Sequence, residues 1–291
     1  MVAGVAQALA LLAITLHRQG VRVVAVEDPC SVGARQQLQS WGMATPAVGV
    51  DERGVRVDEL RTSGAEVAML TPAHQFPTGV VLDGDRRREL RDWTGDGGLI
   101  IEDDYDAEHR YDRPPASALR AVLPEQVCYT GSVSKLLAPA LRIGWLLAPA
   151  RYRDALVAAK HDSDLGNAAL PQLVLAELMV SGDLERHLRA LRRRHRQRRD
   201  TMIAAVREYL PGARVHGAAA GLHLMITFGF EVSDVELARA ALVEGVKVQP
   251  LSWHGQRPGP PGLVLGYAAS TRSEIEQGIS VVSRVLASIR G

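Results

Sequence analysis

The amino-acid sequence predicts an α/β fold: a mostly parallel sheet flanked by helices, followed by a smaller C-terminal α+β domain. Three observations predict it. Apolar, β-branched runs of about five residues alternate with helical stretches through the first half of the chain. Polar residues gather directly after those runs, where open α/β sheets present their ligands. After Pro149 the pattern changes, and helices come to dominate before a few further strands.

The elements follow in order. Residues 3–18 (AGVAQALALLAITLHR) are rich in Ala and Leu, which favours a helix, and Gly20 ends it. Residues 21–27 (VRVVAVE) read as a buried strand stopped by Asp28-Pro29. Residues 34–41 are helical, 67–70 form a strand, 86–93 a charged helix, and 98–102 (GLIIE), 127–130 and 145–147 further strands. Helices are predicted over 151–160, 171–181 and 184–209, then a strand at 222–228 and a helix at 235–244. Strands at 246–249 and 263–267 and a closing helix at 272–288 complete the chain. The predicted boundaries are a large α/β domain over 1–160, connecting helices over 161–209, and a small α+β domain over 210–291.

Composition removes several classes of function. A formal net charge of +1 over 291 residues gives no global field for nucleic acid. The two cysteines, Cys30 and Cys128, lack metal-ligand spacing and suit a reducing cytoplasm, so a cytoplasmic protein is expected. No apolar run is long enough to span a membrane.

Chemistry concentrates in residues 100–144. One strand delivers Asp103, Asp104 and Tyr105 to its C-terminal end; the next delivers Gly131, Ser132, Ser134 and Lys135, with Arg142 seven residues on. Each has a plain alternative. A carboxylate pair at a strand end often caps a helix, a lone lysine usually lies on the surface, and Ser-x-Ser is common in loops. Together they supply an amine, an acid, a phenol and an anion clamp.

This segment resembles the fold-type I, pyridoxal 5′-phosphate (PLP)-dependent transferases of the class I/II aminotransferase family. It is most similar to the aminotransferase-like domain of MocR-type (GabR/PdxR-like) regulators. The resemblance is carried by EDDYD at 102–106 and by Gly131-Ser132-Val133-Ser134-Lys135 with Pro139, Arg142 and Gly144. VEDP at 26–29, TPAHQFPTG at 71–79, AAGLHL at 219–224 and LVLGY at 263–267 match in the same order. It implies that Lys135 forms the internal aldimine with PLP, its pKa depressed by burial and the nearby cationic ring. It further implies that Asp103 pairs with the pyridine nitrogen and Tyr105 donates to the ring 3-oxygen. Ser132, Ser134 and Arg142 would hold the phosphate, aided by the backbone of Gly4, Val5 and Ala6, while His74 and Gln75 face the cofactor.

The resemblance also implies a homodimer that meets a small amine or amino acid, as effector of a regulator or as substrate of a free-standing aminotransferase. Three departures bear on that choice. Ser31 stands where many relatives carry an aromatic residue that stacks on the ring. Val264 stands where many aminotransferases carry the arginine for the substrate carboxylate. The match begins at residues 4–7, so the sequence reads as N-terminally truncated relative to the family, and DNA contact is expected only through an N-terminal helix-turn-helix domain that it lacks. A degenerate fragment that folds poorly or binds nothing is a third alternative.

Residues 186–199 (RHLRALRRRHRQRR) hold eight arginines. Leu184, Leu188, Leu191, His195 and Met202 recur at helical spacing, so a packed helix with a basic face is favoured over a DNA-reading one. His187, His195 and His223 are expected to be packed or interfacial residues rather than ligands.

Overall fold

A computed structural model describes all residues except 107, 110, 112–116, 218–219 and 291. The chain divides into two compact units. The first comprises Met1–Gln75, Val80–Ala107 and Pro115–Leu188; the second comprises Phe76–Gly79, Glu108–Pro114 and Arg189–Gly291.

The first unit runs α1 (Val5–Arg18), β1 (Val24–Asp28), α2 (Val32–Ser40), β2 (Ala47–Asp51), β3 (Gly54–Val55), α3 (Val57–Thr62) and β4 (Val67–Leu70). It continues with α4 (Gly84–Gly95), β5 (Leu99–Asp103), α5 (Leu119–Val122), β6 (Val127–Ser132), β7 (Gly144–Leu147), α6 (Ala150–Asp164) and α7 (Ala169–Val180). Its sheet has the order β3-β2-β1-β4-β5-β6-β7. The strands β2, β1, β4, β5 and β6 are parallel, while β3 and β7 pair antiparallel at the edges. Alternation along the strands fills both faces. Val24, Val26, Leu99 and Ile101 point into a core with Leu9, Leu12 and Leu16 of α1. Ala25, Ala68 and Ile100 point the other way, toward Leu60, Leu90 and Trp93. A sheet covered on both faces has to be apolar throughout its centre, which is why these strands read as near-continuous apolar runs.

Helix α8 (Asp183–Tyr209) begins in the first unit and continues into the second, which adds β8 (Ala213–His216), β9 (His223–Phe228), α9 (Asp234–Val243), β10 (Gln249–Pro250), β11 (Gly262–Gly266) and α10 (Arg272–Arg290). These strands form an antiparallel sheet in the order β10-β11-β9-β8. Leu224, Ile226, Leu263 and Leu265 face Val206, Leu237, Ile279 and Val282. The buried side of α8 includes Leu191, His195, Met202 and Val206, so the helix packs by its apolar stripe.

Two sequence readings need correction. The strand predicted at 246–249 is a two-residue pairing, Gln249–Pro250: Val246 and Val248 pack on the core without joining the ladder. The strand at 21–27 starts later, at Val24, with Val23 making only an isolated bridge. Among the described residues, no helix is long and apolar enough to cross a membrane.

Candidate functional site

The first unit brings the predicted phosphate ligands together by backbone contact. Val2 bridges Gly144 in antiparallel fashion, exchanging two backbone hydrogen bonds of 2.9 and 2.8 Å. This seats the N-terminus of α1 beside the turn between β6 and β7. Gly4 caps α1 with φ +86, a left-handed conformation that suits glycine. A Cβ on Gly144 would lie 2.9 Å from the Gly131 carbonyl oxygen and 2.9 Å from Gly4 Cα. Three backbone segments therefore meet with no room for a side chain. The guanidinium of Arg142 lies against the same place: it donates to the Ala3 carbonyl and would sit 3.4 Å from a Cβ on Gly4. Arg142 holds a left-handed backbone itself (φ 51), unusual for a residue with a side chain.

The cradle suits a phosphate. The first N–H groups of α1, those of Val5 and Ala6 among them, have no carbonyl partner within the helix by helical geometry, and the helix dipole is positive there. Ser132 ends β6, and its hydroxyl accepts from the Ser134 N–H at 3.4 Å. Fixed arginine, bare helix N-terminus and adjacent hydroxyls are the donors that a phosphate dianion needs, so the residues present fit PLP at this end.

At the C-terminal end of β5 the acidic run divides its work. Glu102 accepts from the N–H groups of Leu119 and Arg120 at 2.8 and 2.9 Å, holding the start of α5. Asp104 accepts from the Tyr129 hydroxyl at 2.7 Å. Asp106 lies 2.7 Å from His74 Nδ1. Asp103 is half-buried, with the Thr130 hydroxyl at 3.4 Å. Burial first, and Asp104 second, push its carboxyl up to about 7. A cation brought close would reverse that shift, which suits a carboxyl meant to face a protonated ring nitrogen. Tyr105 is half-buried, its hydroxyl 3.0 Å from His74 Nδ1.

His74 and Gln75 are both buried. Gln75 donates to the Pro29 carbonyl at 2.8 Å, tying the segment after β4 to the segment after β1. Beneath them lies Glu27, a residue sequence reasoning passed over. Its carboxylate accepts from the Thr71 N–H and hydroxyl at 3.0 and 2.7 Å, and burial pushes it up to about 7. The only available signal was an acid closing an apolar strand.

Lys135 corrects an expectation. It is exposed, not buried. It follows β6 on a turn beyond the strand end. Ser31 has a local task where an aromatic was looked for: its hydroxyl accepts from Ala34 N–H and caps α2. In the second unit, Val264 pairs with Met225 and packs with Leu251 and Phe76. His195 is buried and stacked on His109, with ring centroids 5.1 Å apart, and burial lowers its pKa to about 4. His223 is buried with Nε2 3.2 Å from the Pro77 carbonyl, whereas His187 is exposed with Nε2 2.9 Å from the Leu136 carbonyl. Ala219, which opens the AAGLHL match, lies outside the described residues.

The two raised carboxyls give a pH dependence. Each binds a proton more tightly in the folded chain than in the unfolded one, so between about pH 4 and pH 7 the folded state holds more protons. Stability without cofactor is expected to fall as pH rises through that window, by roughly 1–2 kcal/mol per carboxyl after screening by solvent. Melting curves from pH 4.5 to 7.5 test this. Asp103→Asn and Glu27→Gln should each flatten the slope, and an unchanged slope in both would refute the assignment.

A family model described as Aminotransferase class I and II matches residues 1–282. The chain is 31% identical over 264 residues to the uncharacterized HTH-type transcriptional regulator YdeL of Bacillus subtilis, covering 88% of this chain and 56% of that protein. It is 30% identical over 286 residues to the probable rhizopine catabolism regulatory protein MocR of Rhizobium meliloti, covering 96% and 57%. The chain thus spans little more than half the length of these regulators. Among solved structures, the α-aminoadipate aminotransferase LysN of Thermus thermophilus, complexed with N-(5′-phosphopyridoxyl)-L-leucine, superposes with a TM-score of 0.90. That match has 26% identity and covers 99% of this chain and 77% of the other.

Proposed function

Because this chain belongs to the aminotransferase class I and II family, we propose that it binds PLP and forms the cofactor-sensing part of a MocR-type transcriptional regulator. The observation that carries the reading is the cradle of Gly4, Gly144 and Arg142 at the start of α1. PLP bound there supplies an aldehyde that condenses with amines and a ring that withdraws electrons.

The chain's own residues do the rest. Arg142, Ser132, Ser134 and the N–H groups of Gly4, Val5 and Ala6 hold the phosphate. Asp103 would face the ring nitrogen as a carboxylate, Tyr105 would donate to the 3-oxygen, and Lys135 would supply the amine. His74 and Gln75 fix the loop behind them. An effector with a primary amine would compete with Lys135 for the aldehyde, and its arrival would be the signal passed to a DNA-binding segment.

Val264 favours a sensor over an enzyme, since the position where many aminotransferases carry an arginine holds an apolar side chain packed with Met225, Leu251 and Phe76. Mixing PLP with the chain and then with a panel of amino acids and simple amines tests this. A visible band that shifts with an amine but does not convert to the pyridoxamine form supports the sensor. Steady turnover with a 2-oxo acid would establish the aminotransferase reading instead.

The active assembly is a homodimer formed through α7. Leu170, Leu173, Val174, Met179 and Val180 are all exposed on this helix, as is Leu165 just before it, while only Leu175 is buried. A helix apolar around most of its surface and covered on one side has a self-complementary face to offer a second copy. Sedimentation at the mass of a single chain would contradict it. The relatives named above are bacterial transcriptional regulators, whose target DNA lies in the cytoplasm, and the cytoplasm is its proposed site of action.

A further inference from the structure

The first turn of α1 carries a tie that the reading above leaves unused. When glutamine stands third in a helix, its amide commonly reaches back to the N–H of the capping residue. Here Gly4 is the cap and Gln7 stands third, yet Gln7 Oε1 accepts from the Ala3 N–H at 2.8 Å, one residue further back. Among the described residues, the Gly4 N–H makes no hydrogen bond. Gln7 also donates its own N–H to the Gly4 carbonyl at 3.1 Å, so it brackets Gly4 from both sides. The Ala3 carbonyl accepts from Arg142. Both polar groups of Ala3 are thereby engaged, and the backbone entering the cradle is held on each side.

The far end of the amide accounts for its direction. Gln7 Nε2 donates to Asp164 Oδ2 at 2.7 Å, at the C-terminal end of α6. A carboxylate only accepts, so the amide nitrogen has to face Asp164 and the amide oxygen is left to face Ala3. Asp164 is itself held. Lys160, one turn earlier, donates to both its oxygens, and the Gly166 N–H donates to Oδ1 at 3.0 Å. Lys160 first, and Gln7 second, hold its carboxyl down to about 2, so it is an acceptor at every working pH. Helix α6 is a firm anchor, because Leu156 and Ala159 pack in one core with the leucines of α1.

We infer that Gln7 is a positioning residue for the phosphate cradle: oriented by Asp164, it ties down the Ala3 N–H and leaves the Gly4 N–H for the phosphate. The inference rests on the cofactor reading above. The Gln7 amide is spent on Ala3 and Asp164, so it acts on the phosphate through the backbone it holds. Asp164 acts one step further out, through Gln7.

The test compares binding of PLP with binding of pyridoxal, which has the same ring and aldehyde but no phosphate. Absorbance titration reads both and needs no turnover. Gln7→Ala should weaken PLP binding about tenfold, as for losing one hydrogen bond that holds a binding group in place, and leave pyridoxal unchanged. Asp164→Ala should also weaken PLP and spare pyridoxal. Charge alone predicts the opposite sign, because removing an anion from this end of α1 should tighten a phosphate. Since Asp164 works through Gln7, the double variant should bind PLP no more weakly than Gln7→Ala. Three results would each overturn the inference: Asp164→Ala binding PLP as tightly as wild type or tighter, equal losses for PLP and pyridoxal, or additive losses in the double variant. If Gln7→Ala does not fold, the sign of the change in Asp164→Ala decides alone. A wild-type chain that gives no absorbance change with PLP would sink the cofactor reading itself, a separate failure.

Discussion

Replacing Lys135 with alanine is expected to leave the chain folded while abolishing its yellow, borohydride-trappable complex with PLP. Lys135 is exposed and belongs to none of the buried clusters. Truncating such a surface side chain changes stability by less than about 0.5 kcal/mol. The chemical loss follows because no other lysine lies on that turn. The sequence holds three lysines. Lys160 is engaged with Asp164 on α6 at 2.5 Å, and Lys247 belongs to the second unit, between α9 and β10. Neither lies on the turn that follows β6. Absorbance, and mass spectrometry after reduction, give the measurement. A reducible adduct in Lys135→Ala at wild-type stoichiometry would refute the central assignment, while an unchanged melting temperature would show that the loss is chemical.

Gly144→Ala should produce the largest combined loss of stability and binding. The added methyl would meet the Gly131 carbonyl oxygen and Gly4 Cα, both at 2.9 Å. Both are backbone atoms, so no side-chain rotation relieves the contact. Either β6 and β7 separate or the start of α1 lifts away from the sheet. Overpacking of this kind costs roughly 2–3 kcal/mol, and a chain of this size should lose on the order of 5–10 °C in melting temperature. Binding should fall further than stability, because the displaced atoms are those proposed to hold the phosphate. Gly266→Ala is the control, since a Cβ there meets nothing within 4 Å. Equal PLP affinity in Gly144→Ala and wild type would show that the cradle is not the phosphate site.

Much of this was legible in the sequence because burial on both faces of the sheet writes itself as apolar runs. The stretch 67–70 was read to the residue, and β5, β6 and β7 within two. The short elements were invisible. β2, with its half-buried Gly49 and Asp51, has no apolar run, and β3 and α5 are too brief to show a period. β8 carries Arg214 and His216 on a sheet edge and reads as loop. At the site, the motif residues were evident as types but not as a division of labour. Nothing in the run EDDYD says that Glu102 holds α5 or that Asp104 receives Tyr129, because both partners are distant in sequence. The exposure of Lys135 was misjudged for a related reason: chemistry was read from the motif, while exposure depends on where the strand stops.

The meeting of Gly4 with Gly144 also orders events in time. Closing it brings together segments separated by almost half the chain, and contacts of such long range form late, after the costly loop closure is complete. The proposed phosphate cradle has no local version, so it is expected to form late. PLP is then expected to bind a finished sheet and to leave its kinetic mark on the exit: refolding rates measured with and without it should agree, while unfolding should slow as the ligand fills the cradle.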